Sequence, residues 1–242
     1  MVTAEITTLR TALMNTDWPA VARQLHEKGY ASLPHLLSDA LCESLKQGYA
    51  APHGYRKTVV MERHRFGLGE YKYFHYPLPA ALQTVREEVY PHLVPVANAW
   101  MEVLHLPDRF PASLDALLEQ CRAHDQHKAT PLILKYGAGG FNTLHQDLYG
   151  EVYFPLQLVF FLSAAGSDYT GGEFVLTQQT PRAQSKAIVL TPDKGDMLIF
   201  TTNFRPVKGS KGYYRASMRH GVSEVHRGER YTLGVIFHDA VS

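Results

Sequence analysis

The sequence predicts a mainly β protein: an antiparallel barrel or jelly-roll core over residues 130–242, behind an N-terminal α-helical region over 1–129 that packs on one sheet. Three observations carry this. From Pro131 onward, short apolar segments recur between Gly, Pro, Asp and Ser, and none is long enough for a typical helix. Upstream, the apolar residues return at one-turn spacing behind helix-capping residues. No flexible linker separates the halves, so they are expected to form one cooperative unit.

The elements follow in order. Residues 17–29 read as a helix, with Asp17 as cap, Pro19 early, Val21 and Leu25 on one face and a stop at Gly29. A short strand, 30–33, comes next. Ser38 caps a helix to about Tyr49, with Leu41, Leu45 and Tyr49 in line. The aromatic and basic stretch 53–77 reads as strands and loops. A longer helix is expected over 79–104, broken or kinked at Pro91 and Pro95, and another over 112–127. The strand candidates of the core are Leu132–Tyr136, Tyr153–Leu162, Glu173–Thr177, Ala187–Leu190, Asp196–Phe200 and Tyr231–His238.

Charge is nearly balanced, 24 basic against 23 acidic side chains, so the net field announces no polyanion partner, and any such case must come from local clusters. No apolar run has the length of a membrane span. Residues 1–10 lack the apolar stretch of a secretory leader, and Cys42 and Cys121 are too few for a disulfide framework, so a reducing cytoplasm is the expected location.

His145 and Asp147 are two residues apart. On a strand they project from the same face, where an imidazole and a carboxylate reach one metal. His145 is the only histidine of 13 with an acid two residues later. A distant third ligand would complete a face of two histidines and one carboxylate, which leaves coordination positions open and favours Fe(II). His220, His226 and His238 compete for that place; the spacing of His220 to Arg230, which leads a strand, favours His220. An arginine entering a dry barrel can pair bidentately with a carboxylate, and the distal carboxylate of 2-oxoglutarate is the natural partner. The alternative for Arg230 is an ion pair with Glu229 or another nearby acid.

Together these segments resemble the 2-oxoglutarate/Fe(II) dioxygenase superfamily, in the motif style of prolyl 4-hydroxylases, over about residues 130–240. The parts are Tyr136-Gly137-x-Gly139 before the first histidine and Gly171-Gly172-Glu173 as a hairpin. They continue with Pro192, Gly195, Asp196 and Phe200, then His220, Val222, Val225, Gly228 and Arg230. The resemblance implies a double-stranded β-helix core and iron held by His145, Asp147 and His220. It also implies 2-oxoglutarate bound by Arg230 with help from Tyr136, and hydroxylation by O2 with release of succinate and CO2.

Two clusters bear on the substrate. One places Arg56, Lys57, Arg63, His64, Arg65 and Lys72 among Tyr55, Phe66, Tyr71, Tyr73 and Phe74. The other is an acid-free loop, 203–219, with Arg205, Lys208, Lys211, Arg215 and Arg219 beside Phe204, Tyr213 and Tyr214. Basic groups can track phosphates while aromatic faces stack bases. Arg65, Lys72, Lys208, Lys211, Tyr213, Tyr214 and Arg215 are therefore candidate substrate contacts, with the loop running into His220 at the metal mouth. A merely solvated basic loop is the alternative. Gly69–Phe74 and His145–Phe154 also resemble a bacterial group of predicted nucleic-acid oxygenases acting on damaged DNA. The second arginine of alkylated-base demethylases, six residues past the first, is Ile236 here. A damaged or single-stranded nucleic acid is the expected substrate; a hydroxylase of peptides or small molecules and a non-catalytic metal-binding jelly roll are the alternatives.

Overall fold

The computed structural model describes residues 2–242. Its N-terminal part holds α1 (Val2–Met14), α2 (Trp18–Lys28), β1 (Tyr30–Leu33), α3 (Asp39–Gly48), β2 (Tyr55–Val60), a 3-10 turn Met61–His64, β3 (Gly67–Leu68), β4 (Glu70–Phe74), α4 (Ala80–Val103) and α5 (Leu114–Ala123). The core follows with β5 (Leu132–Tyr136), β6 (Phe141–His145), β7 (Leu156–Phe161), β8 (Tyr169–Gly171), β9 (Phe174–Gln179) and β10 (Ser185–Leu190). It ends with β11 (Met197–Thr201), β12 (Phe204–Gly209), β13 (Gly212–Val222), β14 (Val225–Gly228) and β15 (Arg230–Val235). All strand pairings between these elements are antiparallel. No helix among the described residues is long and apolar enough to cross a membrane.

Seven strands form the main sheet, in the order β1-β11-β7-β15-β5-β4-β2. A smaller sheet, β10-β9-β13-β6-β3, faces it, with β12 folded onto β13. The main sheet is covered on both sides, and β7 shows why its sequence is apolar throughout. Leu156, Leu158 and Phe160 join the core under the helices, while Val159 and Phe161 pack with Phe174, Leu176 and Met218 of the smaller sheet. A strand buried on both faces cannot alternate apolar with polar. The expected jelly-roll core with helices on one sheet is the observed fold.

The helices differ in detail. The expected break in α4 is absent: Pro91 and Pro95 lie inside one helix over Ala80–Val103. Both prolines are on its exposed side, where the carbonyls they free meet water, while Leu93, Val94, Val96 and Ala97 anchor the buried side. Asp17, Ser38 and Ser113 each accept a backbone N–H as helix caps, at Ala20, Leu41 and Ala116. The last of these helices ends at Ala123, short of the expected 127. The expectations omitted α1, whose Leu9 and Leu13 are buried against the rest of the core. β1, β2 and β4, from the N-terminal region, are strands of the main sheet.

Arg86 fastens α4 to the C-terminal segment. It is fully buried; Nη2 donates to the Phe237 carbonyl at 2.6 Å and lies 3.5 Å from Asp239 Oδ1, while Nη1 donates to Tyr76 Oη at 2.8 Å. Replacing Arg86 by Leu leaves Asp239 buried without its counter-charge, and should cost about 3–5 kcal/mol in urea unfolding. A loss below about 1 kcal/mol would show that the pair is dispensable.

Candidate metal centre

His145 closes β6 and His220 lies near the end of β13. The two are directly paired across the smaller sheet, with ring centroids 4.2 Å apart. Asp147 is off the strand, two residues beyond its end, so the same-face argument from strand alternation does not place it. The chain turns it inward instead. Gln146 Nε2 points elsewhere, donating to the carbonyls of Asn203 and Met218 at 2.8 Å each. Tyr149 Oη donates to Asp147 Oδ1 at 2.7 Å. The carboxylate then lies 3.5 Å from His145 Nε2 and 3.2 Å from His220 Nε2.

Burial alone would raise the Asp147 carboxyl, but the two imidazoles outweigh it and hold the group well below the usual carboxylate range. Burial pulls His145 down, yet Asp147 outweighs it and the net shift is upward; His220 is lowered, by burial first and then by His145. His145 Nδ1 contacts the Thr143 carbonyl at 2.8 Å, which fixes the proton there and turns Nε2 toward Asp147. One ligand atom from each of the three residues lies within 4.8 Å of the others. Two imidazoles and one carboxylate are a donor set for a divalent transition metal, and three protein donors leave room for exogenous ligands.

His226 is exposed on β14 and is not part of this group. His238 is buried, held neutral with its pKa lowered to about 4 by burial, and its Nδ1 accepts from the Phe154 N–H.

The three residues open on a cavity of about 220 Å³. A water needs roughly 15 Å³ by this measure, so an ion alone leaves most of the space unfilled. Arg230 lines it as the first residue of β15, only 1% exposed. Its Nε and Nη1 are buried without a hydrogen-bond partner. The rings of Tyr136, Phe161 and Tyr169 surround its guanidinium at 5.5 to 5.8 Å. Of the alternative partners, Glu229 pairs with Lys135 at 2.7 Å, and Glu173, which feels the Arg230 charge, is hydrogen-bonded to Ser223 and makes no ion pair with Arg230 within 4 Å. Tyr136 is fully buried opposite Arg230 on β5, its hydroxyl accepting from Asn142 Nδ2 at 3.3 Å and pushed up to about 12 by burial. A buried cation with unused donors, in a cavity shared with two imidazoles and a carboxylate, fits a small dicarboxylate beside a metal.

The structure thus brings His145, Asp147, His220, Arg230 and Tyr136 to one cavity. The expected substrate contacts fare differently, and none of the seven lines it. Lys72 is a correction. On β4 its neighbours Tyr71 and Tyr73 face the cavity, so alternation sends Lys72 to the opposite face, where Nζ donates to the Tyr49 carbonyl at 2.9 Å and sits over the Tyr49 ring. The loop 203–219 is also corrected: it is the β12–β13 hairpin. Tyr213 is seven residues from His220 along a strand, about 23 Å at ~3.3 Å per residue. Lys208, Lys211, Tyr213 and Tyr214 therefore cluster at the far end of the hairpin, away from the mouth. Arg215 is nearer but exposed, its guanidinium over Phe204. Arg205 is structural, donating to the carbonyls of His26 and Glu27 at the end of α2. Arg65 is exposed beside Phe66, which does line the cavity.

Sequence reasoning missed Asn142, Tyr149 and Gln157 on the cavity wall. Tyr149 follows Asp147 by two residues, the one local signal available; the others are brought in by sheet register.

A family model matches residues 69–240; it describes an oxygenase catalysing oxidative methylation of damaged DNA. Uncharacterised proteins of two Mycobacterium tuberculosis strains are 46% identical over 164 residues, which covers 68% of this chain and 70% of theirs. Among solved structures, a Pseudomonas putida prolyl-4-hydroxylase superposes with a TM-score of 0.53 at 14% identity, covering 90% of this chain and 96% of that one. An oxidoreductase of the 2OG-Fe(II) oxygenase family from Burkholderia pseudomallei gives 0.53 at 15%, covering 93% of each. At these identities the likeness is one of fold.

Proposed function

The chain belongs to the oxygenase family whose model spans residues 69–240, and from that premise we propose an Fe(II)- and 2-oxoglutarate-dependent dioxygenase. It hydroxylates a C–H bond of a damaged or modified nucleic acid, with succinate and CO2 as coproducts. The observation that carries the cosubstrate is Arg230: a wholly buried guanidinium with free donors, on the same cavity as His145, Asp147 and His220.

In this reading His145, Asp147 and His220 hold Fe(II), and Arg230 fixes the distal carboxylate of 2-oxoglutarate. Iron bound there, with 2-oxoglutarate and O2, supplies the oxidising power for C–H cleavage. The protein's own part is orientation and dryness. Tyr149 holds one oxygen of Asp147 and so would keep the carboxylate oriented for a metal held by His145, Asp147 and His220. Tyr136, Phe161 and Tyr169 keep water from the Arg230 contact. At the mouth, Arg63, His64 and Arg65 are exposed on the turn leading to Phe66, and His64 stacks on Phe66 at 5.3 Å. Basic groups beside an exposed aromatic ring suit a phosphate-bearing strand. The substrate class follows the family's description.

Succinate release, measured with Fe(II), O2 and 2-oxoglutarate, tests this. Single-stranded oligonucleotides carrying methylated bases should raise turnover above the substrate-free rate and lose the methyl group by mass. Binding should weaken with salt, and Arg63→Ala with Arg65→Ala should flatten that dependence by about 0.7 per lost phosphate contact. Stimulation by peptides and not by oligonucleotides would replace the nucleic-acid reading with a peptide hydroxylase.

A further inference from the structure

Strand β15 and the residue after it present every second side chain to the cavity: Arg230, Thr232, Gly234 and Ile236. Six residues of strand span about 20 Å at ~3.3 Å per residue. Arg230 and Tyr136 occupy one end. The other end, around Ile236, is walled by Tyr73, Tyr149 and Leu132, with Gln157 of β7 beside the Leu158–Val235 pair; Tyr71, level with Thr232, packs against both this group and Tyr136.

The chemistry of that end is narrow. Tyr71 and Tyr73 meet edge to face, 5.3 Å apart at 86°, and so do Tyr73 and Tyr149, 6.2 Å apart at 89°. The hydroxyls of Tyr73 and Tyr149 are committed, Tyr73 to Tyr149 at 3.1 Å and Tyr149 to Asp147. Gln157 on β7 is 2% exposed, and its Nε2 has no hydrogen-bond partner. Among the described residues, the only Asp, Glu, Lys or Arg on the cavity wall are Asp147 and Arg230, which the oxygenase reading assigns to metal and cosubstrate. A zwitterion entering here would leave its charges desolvated and unpaired, which strongly disfavours it. A neutral flat ring would find aromatic and aliphatic walls and one buried amide seeking a partner.

We propose that this end of the cavity takes a neutral heteroaromatic ring, and that Gln157 selects it by donating from Nε2 to an acceptor on the ring edge. The proposal rests on the oxygenase reading and adds to it the group that enters the site and the residue that reads it. A base read this way must leave its stack to reach the pocket.

The test uses the full chain loaded with Mn(II) and 2-oxoglutarate, which bind without turnover, and calorimetry. The probes are neutral deoxynucleosides, methylated and unmethylated, short single strands containing them, free proline and N-acetylprolinamide. Strands or nucleosides should bind and the proline compounds should not. Gln157→Leu should weaken ring binding about tenfold, the value of one hydrogen bond, with Mn(II) and 2-oxoglutarate binding unchanged. It should not lower the Tm of the metal-free protein, because it removes a donor that has no partner there; a structural amide would. Preference for the proline compounds, no ring binding, or ring binding that Gln157→Leu leaves intact overturns the proposal. Should Gln157→Leu fail to fold, Ile236→Phe carries the same test by filling the pocket: lost ring binding with retained 2-oxoglutarate binding supports it, and retained ring binding overturns it. A parent protein that binds neither Mn(II) nor 2-oxoglutarate defeats the oxygenase reading itself.

Discussion

Alanine at His145, Asp147 or His220 should each abolish iron-dependent turnover. The three donors converge from β6, the segment after it and β13, and no fourth Asp, Glu, His or Cys joins them among the described residues. Losing an outer-shell partner of a metal ligand typically costs 10- to 100-fold in affinity, so losing a ligand should cost more than about 100-fold. In anaerobic titration the parent should bind about one Fe(II) per chain and gain a weak visible band on addition of 2-oxoglutarate, as expected of an iron site with open positions; the variants should show neither. Asp147→Asn is the stricter control, since it keeps the shape and removes the charge. A band that survives His220→Ala and vanishes in His226→Ala or His238→Ala would mean a different third ligand.

The second large effect concerns Arg230. Arg230→Ala should still bind iron, but its affinity for 2-oxoglutarate should fall by about 2–4 kcal/mol, roughly 30- to 1000-fold, the value of a charge-assisted contact in a buried site. Arg230→Lys should be intermediate, because it keeps charge and loses the planar fork. Arg230→Met separates binding from folding. The unliganded protein buries Nε and Nη1 without partners, so an apolar chain of similar length should leave its Tm unchanged or raise it, while abolishing the stabilisation that 2-oxoglutarate confers. A Met variant that unfolds several degrees earlier, with 2-oxoglutarate affinity intact, would make Arg230 a structural residue.

The contrast between Arg230 and Lys72 shows what can be read in advance. Both are cations on strands of the main sheet. Arg230 was legible because it follows His220 at a characteristic spacing and leads a strand. Lys72 lay in an equally suggestive aromatic cluster, but its role turned on which face of β4 is covered, and composition is blind to that. One step of alternation put Tyr71 and Tyr73 on the cavity and Lys72 on the opposite face against Tyr49. The basic segment 203–219 failed for a related reason. Its lack of acids is a local property, whereas its distance from His220 depends on pairing into the β12–β13 hairpin. Pro91 and Pro95 broke a local rule without breaking α4, because both fall on its exposed side.

The class of fold was legible in the sequence, and so were His145, Asp147 and His220 as the candidates that the structure groups together. Recurrent short apolar segments can be buried only as strands of stacked sheets, and His145, Asp147, His220 and Arg230 sit beside turn and strand signals that fix their order along the chain. How Asp147 reaches the centre from outside β6, through Tyr149 and the anchoring of Gln146, is set by the fold. It alone enrolled β1, β2 and β4 in the main sheet, and brought Gln157 of β7 to one wall with Tyr71 and Tyr73 of β4. The physical reason is that strand register and sheet order are set by long-range burial: shifting a pairing by one residue exchanges the cavity face for its opposite, and no window of the sequence contains both partners.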